Sequence, residues 1–146
     1  MNVSIPPHLS LGEAGERLAL EFLEQNGYRI VATNFLAPVG HSRRGRTVTA
    51  EIDLIAYDQS PRPHVLAFIE VKTRSSSQIA APETAVDRQK QRRIIRAARL
   101  YRRLLHIGGE PFRYDVVSIL WEPGRPPQVQ LLRGYFQEAP PAPSSP

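Results

Sequence analysis

Glu70 and Lys72 stand two residues apart in VLAFIEVKT, a run otherwise apolar enough to read as a central strand. Alternation along a strand sends both side chains to one face. Burying ionisable groups in so apolar a setting is costly unless something compensates. The preceding segment, VTAEIDLIAY, repeats the device with Glu51 and Asp53. If the two segments are neighbouring strands, their carboxylates converge, and converging carboxylates repel unless a cation lies between them. Oxygen ligands with no histidine or cysteine nearby suit Mg²⁺ or Mn²⁺ rather than zinc. Lys72 alongside could orient or deprotonate a water, or offset charge building on a phosphate. The competing reading is a buried ion pair of Glu70 with Lys72 or with a helix arginine. Such pairs rarely add stability, so that reading explains the cost poorly.

The composition sharpens the interest in lysine. Of the 19 basic residues, 17 are arginine, and only Lys72 and Lys90 are lysine. A compact ammonium can approach a metal-held water or a phosphate in ways a planar guanidinium cannot. The formal net charge is +5, with a pI near 10.1, which permits a polyanionic partner. Cysteine is absent, which excludes disulfides, thiolate metal sites and cysteine nucleophiles. The opening MNVSIPPHLS has neither a basic nor an apolar signal region, and no apolar run approaches a membrane span. The expectation is a soluble cytoplasmic domain with no membrane partner. With 146 residues, one domain with a genuine core is expected.

The elements that must position these residues can be read along the chain. Ser10-Leu-Gly-Glu13 has the form of a capping box, and Leu11, Leu18, Ala19, Phe22 and Leu23 recur at helical spacing up to Asn26-Gly27. Tyr28–Phe35 reads as a strand, Leu36–Arg46 as a polar loop, and Val48–Tyr57 and Val65–Thr73 as strands around a proline-containing turn. A long helix is expected from about Glu83 to His106, with Val86, Ile94, Ala97, Ala98, Tyr101, Leu104 and Leu105 as its core face. Phe112–Trp121 and Gln128–Leu132 read as further strands. Residues 1–137 form the expected domain, and Glu138–Pro146 a proline-rich disordered tail. This order predicts a single α/β sandwich on a mixed sheet.

Other residues carry weaker signals. Eight basic residues lie between Arg88 and Arg103 with no acid among them. Arg88, Arg92, Arg96, Arg99 and Arg103 recur about once per turn, the pattern of a phosphate-contacting face, although a solvated face has the same periodicity. Glu51 is either a carboxylate supporting the ligands from behind or a charge at a strand end. Asp115, two residues after Arg113, reads as a structural ion pair. Glu13 reads as a cap. His41 and His64 lack ligand spacing, and Tyr101 fits the core stripe.

Gly12, Gly15-Glu16, Ala19, Gly27-Tyr28, Ile30, Asn34, Glu51-Ile-Asp-Leu-Ile-Ala56, Phe68-Ile-Glu-Val-Lys-Thr-Arg74, Lys90, Ala98, Tyr101 and Arg113-Tyr-Asp-Val-Val117 resemble the pattern of the YraN-like family. These are small bacterial proteins of the PD-(D/E)xK restriction-endonuclease-like superfamily. The resemblance runs from about Leu11 to Ile119. It implies a single-domain restriction-endonuclease-like sandwich, with about five strands flanked by helices, similar to Holliday-junction resolvases. It also implies that Asp53 and Glu70, with the backbone carbonyl of Val71, hold the metal, and that Lys72 serves the attacking water. Glu16 matches a glutamate on the first helix that completes such sites. The sequence departs from the family pattern at Ala50, where glycine is usual, and in the extra residues Gly40–Arg46.

The functional expectation is therefore a Mg²⁺- or Mn²⁺-dependent nuclease acting on DNA, including branched or junction DNA. Two rivals belong to other classes: a non-catalytic nucleic-acid-binding protein with a nuclease-like fold, and an interaction scaffold that keeps the acids as remnants. A homodimer is compatible with the sequence.

Overall fold

The computed structural model describes residues 4–75 and 86–139. Seven elements follow in the order α1 (Leu11–Gln25), β1 (Tyr28–His41), β2 (Thr47–Asp58), β3 (Val65–Arg74), α2 (Arg88–Leu104), β4 (Phe112–Leu120) and β5 (Gln128–Phe136). The five strands form one sheet in sequence order, with β3 at its centre. The β1–β2, β2–β3 and β4–β5 pairs are antiparallel, and β3 and β4 are parallel. A parallel pair needs a crossover, and α2 provides it. The result is the single α/β domain with a mixed sheet that the element order implies.

A helix covers each face of the sheet. On one side Ala14, Ala19 and Leu23 of α1 pack with Leu54, Ala67, Ile69 and Val117. On the other, Ile94, Ala97 and Ala98 of α2 pack with Ile52, Phe68, Tyr114 and Val116. Both faces of β3 are thus covered, which is why Leu66–Glu70 is buried without interruption. Each large aliphatic or aromatic side chain so buried contributes about 1.5–3 kcal/mol. Gly15 brings α1 hard onto β3. A Cβ there would fall 1.8 Å from Thr73 Oγ1, so the helix sits where only glycine fits.

The helix ends follow their local chemistry. The Ser10 hydroxyl caps α1 by accepting from the Glu13 N–H at 3.2 Å. Glu13 Oε1 accepts from the same hydroxyl at 3.0 Å rather than from the Ser10 N–H that a capping box would use. Gly27, with φ +86°, takes the left-handed conformation just past the helix end. Asp87 caps α2 by accepting from the Lys90 N–H at 2.8 Å. The helix is therefore capped four residues beyond the start expected at Glu83, a residue outside those described.

Three expectations need correction. Leu36–Arg46 is not a loop: β1 runs on to His41 and pairs with β2 as far as His41–Thr47, leaving only a short turn. Burial alternates along this arm, with Ala37 buried and Val39 half-buried between the exposed Leu36, Pro38 and Gly40, but residue type does not follow it, because the exposed Leu36 and Pro38 are apolar too. Pro38 is tolerated because β1 is an edge strand. Leu104 and Leu105 are 62% and 52% exposed, because α2 ends as it clears the sheet. Arg102 is the buried residue of that last turn, its guanidinium 3.7 Å from the centre of the Phe112 ring. Finally, β5 continues beyond Leu132 to Phe136, which stacks on Tyr114. Glu138, placed at the head of the tail by sequence, accepts from Arg99, Arg102 and Tyr114. Residues 140–146 lie outside those described.

Candidate metal centre

The β2–β3 ladder runs from Asp58–Val65 to Leu54–Ile69 and stops there, so the next residues of the two strands, Asp53 and Glu70, are not paired. The Val71 N–H is taken instead by a side chain: Asp53 Oδ2 accepts from it at 2.8 Å. Asp53 is thereby fixed at the point where the strands part, only 9% exposed, with Glu70 beside it at 4%. Burial first, and the Glu70 and Glu16 charges with it, push the Asp53 carboxyl up to about 8, against the pull of the Val71 N–H.

Two further carboxylates close on Asp53. Glu16 arrives from α1, one residue after the glycine packed on Thr73. Glu51 arrives from β2 itself. Carboxylate oxygens of Glu16, Glu51 and Asp53 all lie within 4.8 Å of one another. Asn34 spans the first two, its Nδ2 donating to Glu51 at 2.8 Å and to Glu16 at 3.3 Å. Asn34 sits between the Thr33–Leu54 and Phe35–Ile52 pairs of β1 and β2, in the left-handed conformation at φ +50°, which asparagine tolerates better than most residues. An all-oxygen set with a buried, proton-retaining member fits a hard divalent cation, whose charge would relieve the repulsion the carboxylates now share.

Glu70 has a cationic partner of its own, Lys90 Nζ from α2. Partial burial pulls the Lys90 ammonium down, but Glu70, with Asp53 and Asp87, outweighs this and holds its pKa above the ordinary value. The sequence left the partner of Glu70 open between Lys72 and a helix arginine. It is neither. The available signal was composition, since Lys90 is the second of only two lysines. Glu51, Asp53, Glu70, Asp87, Lys90 and Arg93 line one open cleft of about 430 Å³. Lys72 is half-buried, does not line that cleft and has no ion-pair partner among the described residues.

The arginines of α2 divide into two groups. Arg88, Arg92, Arg93 and Arg103 are exposed, with no acidic partner among the described residues. The others are engaged with the protein: Arg96 donates to the Val39 carbonyl at 3.1 Å, and Arg99 pairs with Glu138 at 3.1 Å. Asp115 is structural, as its spacing from Arg113 implies. It is fully buried and accepts from Arg113 at 2.7 Å, from the Tyr28 hydroxyl and from the Gly134 N–H. Asp58 shares the same arginine at the far end of β2 from the carboxylate cluster.

Fold and site together define a small α/β protein with a carboxylate-rich cleft at the parting of two central strands. The pattern of the Uncharacterised protein family UPF0102 matches residues 15–119. The chain is 46% identical to a UPF0102 protein of Symbiobacterium thermophilum, over 88% of this chain and 94% of that one. It is 44% identical to one of Chlorobium limicola, over 78% and 77%, and 40% identical to one of Alkaliphilus metalliredigens, over 87% and 97%. The chain belongs to the UPF0102, or YraN-like, family.

Proposed function

We propose that this protein is a metal-dependent nuclease that hydrolyses phosphodiester bonds in DNA. One observation carries the reading: Asp53, held at the strand parting by the Val71 N–H, meets Glu16 and Glu51 with their oxygens within 4.8 Å, and Glu70 lies beside it. A purely structural role gives no reason to crowd Glu16, Glu51 and Asp53 together, since like charges brought this close repel. Glu16, Asp53 and Glu70, with the Val71 carbonyl by resemblance to the wider superfamily, would hold Mg²⁺ or Mn²⁺, and Glu51 and Asn34 would orient them. When bound, such an ion lowers the pKa of water and neutralises charge on a phosphodiester. Lys90 offers the cleft an ammonium. Lys72, on the Glu70 face of β3 by alternation, offers a second candidate for positioning the attacking water. The exposed guanidiniums of Arg88, Arg92, Arg93 and Arg103 supply cations for a phosphate backbone, with Arg96 and Arg99 beside them.

A second reading is a nucleic-acid-binding protein without catalysis. The Lys90–Glu70 ion pair favours it, because that carboxylate already has a cation. Calorimetry with Mn²⁺ and a cleavage assay on linear and branched DNA separate the two. The nuclease reading predicts Mn²⁺ binding and cleavage, both lost in Asp53→Ala. In single-turnover assays, Lys72→Arg and Lys90→Arg then identify the lysine that matters, by a loss of about 10²-fold or more in turnover. Retained DNA binding with no cleavage of any substrate and no Mn²⁺ binding establishes the second reading.

A further inference from the structure

The β1–β2 arm ends in a tight turn, closed by Ser42 N–H to Arg46 carbonyl at 2.7 Å and by Arg46 N–H to Ser42 Oγ at 3.1 Å. That turn displays Arg43, Arg44 and Arg46, all exposed and without an acidic partner among the described residues. No aspartate or glutamate occurs between Glu24 and Glu51. The base of the arm is tied to α2, because Arg96 donates to the Val39 carbonyl at 3.1 Å. Between arm and helix lies an open groove of about 210 Å³, whose lining includes His41, Val48, Gln89, Arg92, Arg93 and Arg96. Gln89 and Arg93 also line the carboxylate cleft, so the two depressions adjoin.

We propose that this groove is the track for a nucleic-acid backbone, and that the arm is a clamp closing on it; the proposal rests on the reading that the chain acts on nucleic acid. A strand with one phosphate at the carboxylate centre would continue into the groove, where Arg92 and Arg93 face its next phosphates. Arg43, Arg44 and Arg46 hold the backbone from the other side. The charge pattern points to this occupant. A polyanion with evenly spaced charges is attracted along the whole groove, whereas the adjoining acids repel every anion except one bridged by a cation. The contacts are to backbone charge, so they position the strand and read no sequence.

The test is fluorescence anisotropy in Ca²⁺, a cation that can bridge a phosphate to the carboxylates, using a labelled 20-mer as duplex and as single strand, with a gel confirming that the 20-mer stays intact. In Arg43→Gln/Arg44→Gln/Arg46→Gln we expect binding weakened about tenfold or more, and a plot of log K against log salt flatter by about 2 to 3 in slope. The preferred form of the 20-mer identifies the substrate geometry. Unchanged Mn²⁺ calorimetry and an unchanged unfolding midpoint show that the variant keeps its fold and its carboxylate centre. If the arm variant binds like wild type while Arg92→Gln/Arg93→Gln loses affinity, the arm is no clamp, although the nuclease reading stands. Equally strong binding of poly-glutamate overturns the assignment to nucleic acid, as does failure of the wild type to bind either 20-mer. Failure of the nuclease reading has a separate signature, absence of Mn²⁺ binding.

Discussion

Lys90, in the first turn of α2, closes its ammonium on the Glu70 carboxylate of β3, while Lys72, two residues along the strand from Glu70, has no such partner among the described residues. The pair is asymmetric: the Glu70 side chain is 5% exposed and that of Lys90 44%. Lys90 can therefore reach solvent and Glu70 cannot, so the cost of parting falls on the buried carboxylate. The ammonium occupies the place at Glu70 that a divalent cation would contest.

Lys90→Met tests that competition. It leaves a buried carboxylate without its cation, and the expected loss of stability is about 1–2 kcal/mol, below the value for a fully buried pair because Lys90 is half in water. Saturating Mn²⁺ should restore more stability to this variant than it adds to wild type. Urea unfolding with and without Mn²⁺ measures both effects. An unchanged midpoint without metal would show that the ion pair contributes nothing.

Asp53 should write its protonation into the pH dependence of stability. The folded carboxyl keeps its proton up to about pH 8, whereas an unfolded aspartate releases it from 3.8 upward. Between these values the native state holds more protons, so the contribution of Asp53 falls as pH rises through this window. Asp53→Asn retains an oxygen to accept from Val71 and removes the titration. Relative to wild type it should be similar in stability near pH 4 and more stable at pH 8.5. Cation binding should run the other way: Mn²⁺ must displace the proton, so its affinity should rise up to about tenfold per pH unit below 8. Parallel stability curves for the two proteins across this range would refute the assignment.

Gly15 couples the packing of α1 to the site. In Gly15→Ala the new Cβ meets Thr73 Oγ1 at 1.8 Å and Thr73 Cβ at 2.8 Å, so the helix must shift. Overpacking of this kind costs about 1–3 kcal/mol. Because Glu16 is the next residue, Mn²⁺ affinity should fall as well. Adding Thr73→Ala removes the closer clash and should recover part of both losses, which urea unfolding and calorimetry would record. Wild-type stability and affinity in the single variant would mean that Glu16 does not depend on this contact.

The amino-acid sequence by itself determined whatever rests on neighbours along the chain. Alternation and apolar runs placed β2 and β3, and with them Asp53 and Glu70 as acids among aliphatic side chains. Ser10 and Gly27 bounded α1 by local hydrogen bonding and by tolerance of positive φ. Arg113 and Asp115 paired as their spacing on one strand required. Only the tertiary structure decided the rest, because those choices depend on where distant segments return. The crossover sets α2 over β3 and thereby selects Lys90, twenty residues away, over Lys72 as the partner of Glu70. The end of the β2–β3 ladder turns Asp53 towards the Val71 N–H, and the position of α1 adds Glu16. The β1–β2 arm fully buries only the small Ala37 and Ala50 and carries the apolar Leu36 and Pro38 on its exposed face, so its residue types give no alternation to read. Arg102 reads as one more cation of a basic helix until Phe112 and Glu138 arrive from other parts of the chain to cover and neutralise it.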